Sequence, residues 1–270
     1  MKNTLLFAVF FIMALLLTAC KKDIKESEAQ QAISQDVLSK IQKLGFGISS
    51  VQKVEGGYLV EDDILLTDEH LNGNPKMEIL RVGSEEQYRT SNTVLGLPRT
   101  ITIRVSTSLP SVYVTALNAA IARYNALKTT TTNFLLTFVR VTSGGNIVIN
   151  PAPAGSPYLA SAGFPSDAGN PYTQILVNAS IVNSWAANTK TTILAHEIGH
   201  CIGLRHTDWF NRSFSCGGSA VNEGAGSVGA KLIPGTPSGA EAGSWMLACI
   251  GNGTNRPFTA NDVIALRWLY

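Results

Sequence analysis

The 270-residue chain predicts an α+β fold: strands and helices in its middle part, then a long irregular stretch, then a closing C-terminal helix. Three observations carry that expectation. Alternating, β-branched strand patterns recur between residues 100 and 182, with one strong amphipathic helix among them. A second helical pattern carries two histidines four positions apart. The stretch from 207 to 242 is largely Gly, Ser, Ala and Asn without periodicity, which reads as irregular chain.

Taken in order, the chain opens with Lys2 and an unbroken apolar run, Leu5 to Leu17. Thirteen residues are too few to span a bilayer and suit a signal-peptide core. Leu17-Thr18-Ala19-Cys20 follows and resembles a bacterial lipobox, which makes Cys20 a lipidated first residue of the mature protein. A plain secretory signal is the competing reading. Lys21-Lys22-Asp23 is similar to the charged tags of some surface lipoproteins. The expected location is therefore the bacterial cell envelope, at the outer membrane or cell surface, with acyl chains on Cys20 holding the protein to the membrane.

Ile33, Val37, Leu38 and Ile41 have helical spacing, and Gly45-Phe46-Gly47 ends that helix. Val54 to Leu66 reads as a strand pair, or as a strand with a Gly-Gly turn, and Thr67 to Ser91 as loop or weak helix. Thr100 to Val105 is a strand pattern. Ser111 to Leu127 is a helix whose Val114, Leu117, Ala120, Ile121 and Tyr124 repeat at three and four. Phe134 to Val141, Asn146 to Asn150 and Thr173 to Val182 read as further strands. Tyr158 to Phe164 fits either an edge strand over a cleft or a surface loop.

The next helix, expected over Asn188 to Leu204 with Asn188 or Thr189 as its cap, contains His196-Glu197-Ile198-Gly199-His200-Cys201-Ile202-Gly203-Leu204-Arg205-His206. His196 and His200 stand one turn apart on one face, a spacing that lets two imidazoles bind one Zn²⁺. Glu197 is rotated aside, where a general base for a water is needed. Gly203 permits a left-handed turn that returns His206 as a third ligand. Three ligands with one open position describe a catalytic zinc site. Three of the chain's four histidines lie in this stretch.

That pattern resembles the metzincin clan of zinc metallopeptidases, and its wording HEIGH, followed by CIGLRHTDW, is similar to the bacterial dual-action HEIGH metallopeptidases. The resemblance implies a metzincin-like zincin domain over residues 93–270, with a twisted mixed sheet and helices above the cleft and an irregular lower subdomain ending in the C-terminal helix, after a lipoprotein signal peptide (1–19) and a propeptide-like or accessory segment (20–92). It also implies that Met246, in Ser244-Trp245-Met246-Leu247, forms the Met-turn beneath the zinc ligands. Astacins and serralysins place a tyrosine ligand two residues after that Met; here the position is Ala248, so no tyrosine ligand is expected. Asp208 is a candidate hydrogen-bond partner for a ligand histidine. Val60-Glu61-Asp62-Asp63-Ile64 is similar to the astacin propeptide motif Phe-x-Gly-Asp, departing from it at two of four places. On that resemblance Asp63 is a zymogen switch; an acidic solvated turn is the competing reading. No cysteine lies between Lys21 and His200, which excludes a cysteine switch.

With Cys20 lipidated, Cys201, Cys216 and Cys249 remain, and three cannot all pair. Cys216–Cys249 is the preferred disulfide because it staples the loose lower part, although Cys201 has either as an alternative. Pro257 to Tyr270 is expected to be a helix capped by Thr259 or Asn261, with Val263, Ile264, Leu266 and Leu269 facing the core. Net charge is +2 with no basic cluster beyond Lys21-Lys22, which excludes nucleic acid as a partner. The expected protein is a monomeric zinc endopeptidase with one catalytic ion, acting on protein or peptide substrates. The alternatives are a surface lipoprotein that uses the fold for binding or adhesion, and a zinc hydrolase acting on a non-peptide bond.

Overall fold

The computed structural model describes residues 33–44, 46–48, 50–72, 87–128, 134–225, 228–237 and 239–270. The leader expected over residues 1–19 and the lipidation residue Cys20 lie outside the described residues. Residues Ile33–Tyr270 form one compact unit.

Helix α1 (Gln35–Leu44) buries Ile41 completely, with Val37 and Leu44 packed beside the same small cluster. The chain then turns at Phe46, whose N–H donates to Ile41 O. Strands β1 (Gln52–Val54), β2 (Gly57–Val60) and β3 (Ile64–Leu66) make an antiparallel meander. Its first turn needs glycine. Gly57 has φ 156°, and a Cβ there would lie 2.0 Å from Leu66 O. All three residues of β3 are buried, because the strand is covered on both faces. Ile64 and Leu66 pack with Ile41, Phe46 and Leu71, while Leu65 packs with Tyr158 and Leu176. A short helix, α2 (Asp68–Asn72), and a two-residue strand, β4 (Tyr88–Arg89), lead to the main body.

The main sheet contains β5 (Arg99–Val105), β6 (Leu136–Arg140), β7 (Ile147–Pro151), β8 (Ala160–Ser161) and β9 (Gln174–Val177), in the order β6-β5-β7-β9-β8. Four strands are parallel and β8 runs antiparallel at the edge. Parallel neighbours need a crossover, and α3 (Val112–Asn125) supplies the one between β5 and β6. Its Tyr113, Ala116, Leu117, Ala120, Ile121 and Tyr124 are buried at helical spacing.

The pattern over Thr173 to Val182 is only half strand. After β9 the chain coils into α4 (Ala179–Val182). Asn178 ends the ladder: its amide donates to Ser156 O, its Oδ1 accepts from Ser180, and its main-chain oxygen accepts from Ile181 and Val182. A side chain that satisfies nearby groups in this way competes with strand pairing.

Helix α5 (Ala187–Cys201) runs through the middle of the molecule and is buried from Thr189 to Cys201. It begins before the expected caps. Asn252 Oδ1 accepts from Ala186 N at 2.8 Å and Thr189 Oγ1 accepts from Gly253 N at 3.0 Å, so a distant loop holds its start. It ends earlier than Leu204 because Gly203 takes φ 105°. A Cβ on Gly203 would lie 2.8 Å from Asn92 O, so the turn excludes larger residues. The lower part holds α6 (Ser213–Cys216) and β10 (Lys231–Leu232), which pairs with β4. Cys216 and Cys249 are bonded there, and Cys201 is a buried free thiol.

The closing helix α7 (Ala260–Leu269) starts in a capping box of Thr259 and Asp262. Asp262, Ala265 and Leu266 face inward, which leaves Ile264 42% exposed rather than in the core. Buried Asp262 also reaches beyond its own helix. It accepts from Thr259 N at 2.8 Å, Ser244 Oγ at 2.9 Å, Trp245 N at 3.4 Å and the Gln87 amide. One carboxylate thereby joins the helix start to the turn carrying Trp245 and Met246. Asp262→Ala orphans these buried donors and is expected to cost roughly 2–4 kcal/mol of stability, measured by denaturant unfolding; a change near zero would contradict this role.

Candidate metal centre

His196 and His200 project from one face of α5, and the turn at Gly203 returns His206 to them. His196 Nε2 lies 2.9 Å from His200 Nε2, which lies 3.2 Å from His206 Nε2. All three rings are buried. Each ring is fixed from behind through its other nitrogen. His196 Nδ1 donates to Trp245 O and His200 Nδ1 to Leu204 O, both at 2.8 Å. A carbonyl only accepts, so both protons sit on Nδ1 and both Nε2 lone pairs point inward. His206 Nδ1 meets Glu223 Oε1 at 2.7 Å. Phe164 stands edge-on against the His200 ring.

The turn that holds His196 is also packed under the helix. Met246 is fully buried, and a Cβ on Gly199 would lie 2.5 Å from its sulfur. The missing side chain of Gly199 therefore leaves the room that Met246 fills beneath the histidines. Met246 O accepts from Thr207 N at 2.9 Å, fixing the residue after His206. Trp245 Nε1 and Tyr124 Oη both donate to Ala195 O, at 3.2 and 2.8 Å, which ties the turn and α3 to α5.

Asp63 completes the centre. Its Oδ2 lies 2.8 Å from His206 Nε2, 3.6 Å from His196 Nε2 and 3.8 Å from His200 Nε2. It arrives on the turn between β2 and β3, which is pinned to the main sheet. Ala162 N donates to Asp63 O at 3.0 Å and Leu65 N to Ala162 O at 3.1 Å, so this segment adds to the β8 edge. The chain around Tyr158 to Phe164 is thus an edge, and residues 63–65 pair along it. Glu61 and Asp62 both have left-handed φ, 54° and 64°. Arg205 holds Glu61 at 2.7 and 2.8 Å, and Arg212 holds Asp62 at 2.8 Å.

The donor set suits a zinc ion. A tetrahedral site with bonds of ~2.0–2.1 Å places its nitrogens roughly 3.3 Å apart, close to the spacing found here. The electrostatics point the same way. Burial opposes charge on His206, but Asp63 and Glu223 outweigh it and hold the ring well above the usual imidazole range. Burial, the charge of His196 and that of His206 push His200 down to about 4. Burial would raise Asp63, yet the His206 charge and the three imidazoles hold its carboxyl well below normal. The pocket therefore accommodates one central positive charge, which a cation on the three Nε2 atoms provides.

Glu197 lines the cleft beside the histidines, and its buried Oε2 has no hydrogen-bond partner among the described residues. Burial, then the charge of Asp63, push its carboxyl well above the usual range. The cleft, of about 200 Å³, is walled by Tyr158, Leu159, Thr192, Ile193, Leu247 and Ile250. Asp208, a candidate partner for a ligand histidine, instead accepts from Ala248 N at 3.0 Å and Ser215 Oγ at 2.6 Å. Glu223 holds the histidine. Sequence reasoning passed over it, although it is the only acidic residue between Asp208 and Glu241, isolated in a Gly-rich stretch. Arg205, Arg212 and Gly199 were also missed; Gly199 stands inside the motif itself.

A family model described as "Dual-action HEIGH metallo-peptidase" matches residues 59–270. No curated protein matches the chain. Two solved structures, titled "Structure of myroilysin" and "Crystal structure of myroilysin", align at 17% and 14% identity with TM-scores of 0.33 and 0.39. The alignments cover 44% and 64% of this chain, and 54% and 83% of those chains, so the first spans about half of its match. The family match takes in well over half of the chain and the whole histidine centre with Asp63, and the chain belongs to the dual-action HEIGH metallo-peptidase family.

Proposed function

We propose that the chain is a zinc-dependent endopeptidase that its own residues 61–63 keep latent. One observation carries this reading: three Nε2 atoms converge with their Nδ1 atoms pinned, beside an unpartnered Glu197 oxygen in an open cleft. His196, His200 and His206 would hold the zinc. When bound, zinc supplies Lewis acidity toward a water and a peptide carbonyl. Glu197 takes a proton from the attacking water at its free Oε2 and delivers it to the leaving amide nitrogen. Trp245 O, Leu204 O and Glu223 keep the imidazoles oriented while this happens. A binding-only role gives no reason for a buried carboxylate oxygen without a partner at this spot.

Latency rests on two contacts. Asp63 Oδ2 occupies the fourth donor position, and the chain at 63–65 fills the β8 edge along which an extended substrate would pair. Residues 20–92 then act as a propeptide-like segment whose turn at 61–63 is the inhibitory tip. The Leu17-Thr18-Ala19-Cys20 motif supports export and acylation at Cys20, and the Cys216–Cys249 bond supports an oxidising compartment.

Glu197→Ala should lower turnover of an unfolded protein substrate by about a thousandfold while zinc content, read by elemental analysis, is kept; unchanged turnover would refute the assignment. Asp63→Ala in the full chain should raise activity by roughly tenfold or more, since it removes a tethered blocking group. An unaltered rate would leave Asp63 a structural acid only.

A further inference from the structure

The cleft wall carries two cations, of which Arg212 is tied to the histidine centre through Glu223 at 3.2 Å and Arg256 is not. Arg212 lines it and is bonded to Asp62 of the inhibitory turn at 2.8 Å. Arg256 lines it among Ile193, Leu247 and Ile250. Arg256 gives one guanidinium N–H to Cys249 O at 2.9 Å, and its main-chain N–H goes to Thr192 Oγ1 at 3.0 Å. Among the described residues no carboxylate lies within ion-pair distance of it. Asp208, the acid that acts on it electrostatically, already accepts two hydrogen bonds of its own. Burial pushes Arg256 below the usual guanidinium range, and the charge of Asp208 only partly opposes this. If the segment leaves, the lining loses Asp62 and Asp63 and keeps Arg212, Arg256 and Glu197. The acidic turn now in the cleft therefore marks the charge of what replaces it.

We infer that the cleft takes peptides with an acidic side chain next to the scissile bond, its carboxylate read by Arg256 and its stem packed on Ile250 and Leu247. The inference rests on the peptidase reading and names the substrate class of that site. A guanidinium offers paired N–H donors to a carboxylate, and an amide of the same shape presents donors where only acceptors fit.

The test uses two labelled peptides identical except for Asp or Asn beside the scissile bond. Binding is followed by fluorescence anisotropy in the full chain carrying Asp63→Ala and Glu197→Ala, which does not depend on turnover. The Asp peptide is expected to bind about tenfold more tightly. Arg256→Ala should bring the ratio close to one, and Arg256→Lys should keep part of it. Arg256 also supports the Cys249 carbonyl, but losing that support weakens both peptides alike and leaves the ratio intact. Equal affinities, no binding of either peptide, or a ratio untouched by Arg256→Ala would overturn the inference. Cleavage of both peptides by the Asp63→Ala chain without preference sinks this inference and leaves the peptidase reading standing. A binding preference without any cleavage does the reverse.

Discussion

The centre depends on one buried imidazole held between two carboxylates. His206 touches Asp63 with one nitrogen and Glu223 with the other; His206 and Glu223 are shut away from water, and Asp63 keeps only 13% of its side chain exposed, at the cleft. Such an arrangement is stable only if positive charge sits among the groups, since two buried carboxylates repel one another and each is costly to desolvate. Arg205 and Arg212 carry part of that charge, reaching Glu223 at 3.5 and 3.2 Å. The rest falls on the ring cluster itself. The same charge balance that shapes a metal site therefore also fixes the loop bearing Glu223, which has almost no regular structure to hold it.

Those arginines join the N-terminal segment to the rest of the chain. Arg205 bonds Glu61 from the N-terminal segment and Glu223 from the body, and Arg212 does the same with Asp62 and Glu223. Two successive side-chain-bearing residues in left-handed conformation cost on the order of 1–3 kcal/mol each, so the turn at 61–62 does not hold its shape unaided. Two ion pairs and the pairing at Ala162 over-determine it. Asp63 is thus aimed by its neighbours' bonds rather than by its own, and the acidic run is a docked tip whose three carboxylates have three separate receptors.

Much of this was legible in the sequence because local rules decided it. The strand and helix patterns from Thr100 to Asn150 reflect burial on one face, and the five motif residues fix their own spacing on one helix. The element ends were decided elsewhere. Asn178 stopped a strand by bonding to Ser156, and a loop near Asn252 started α5 in place of its expected caps. Glu223 and Arg205 act across 17 and 144 residues of chain, on His206 and Glu61, and separations of that kind leave no periodic trace. Asp63 sits between. Its type and surroundings suggested a role, but only the fold brings it to the histidines. Ile264 was misplaced because Asp262, a polar residue, claimed the inward face of α7.

The edge position of β8 has a bearing on solubility. A sheet edge with free N–H and C=O groups is a template for any extended chain, including another copy of the same protein. In this molecule residues 63–65 cover part of that edge. A chain stripped of them would gain an accessible centre and an adhesive flank in the same event. The two properties are inseparable because one short strand suppresses both, so an uncovered molecule is safest where copies are few or held apart, as tethering to a surface would keep them.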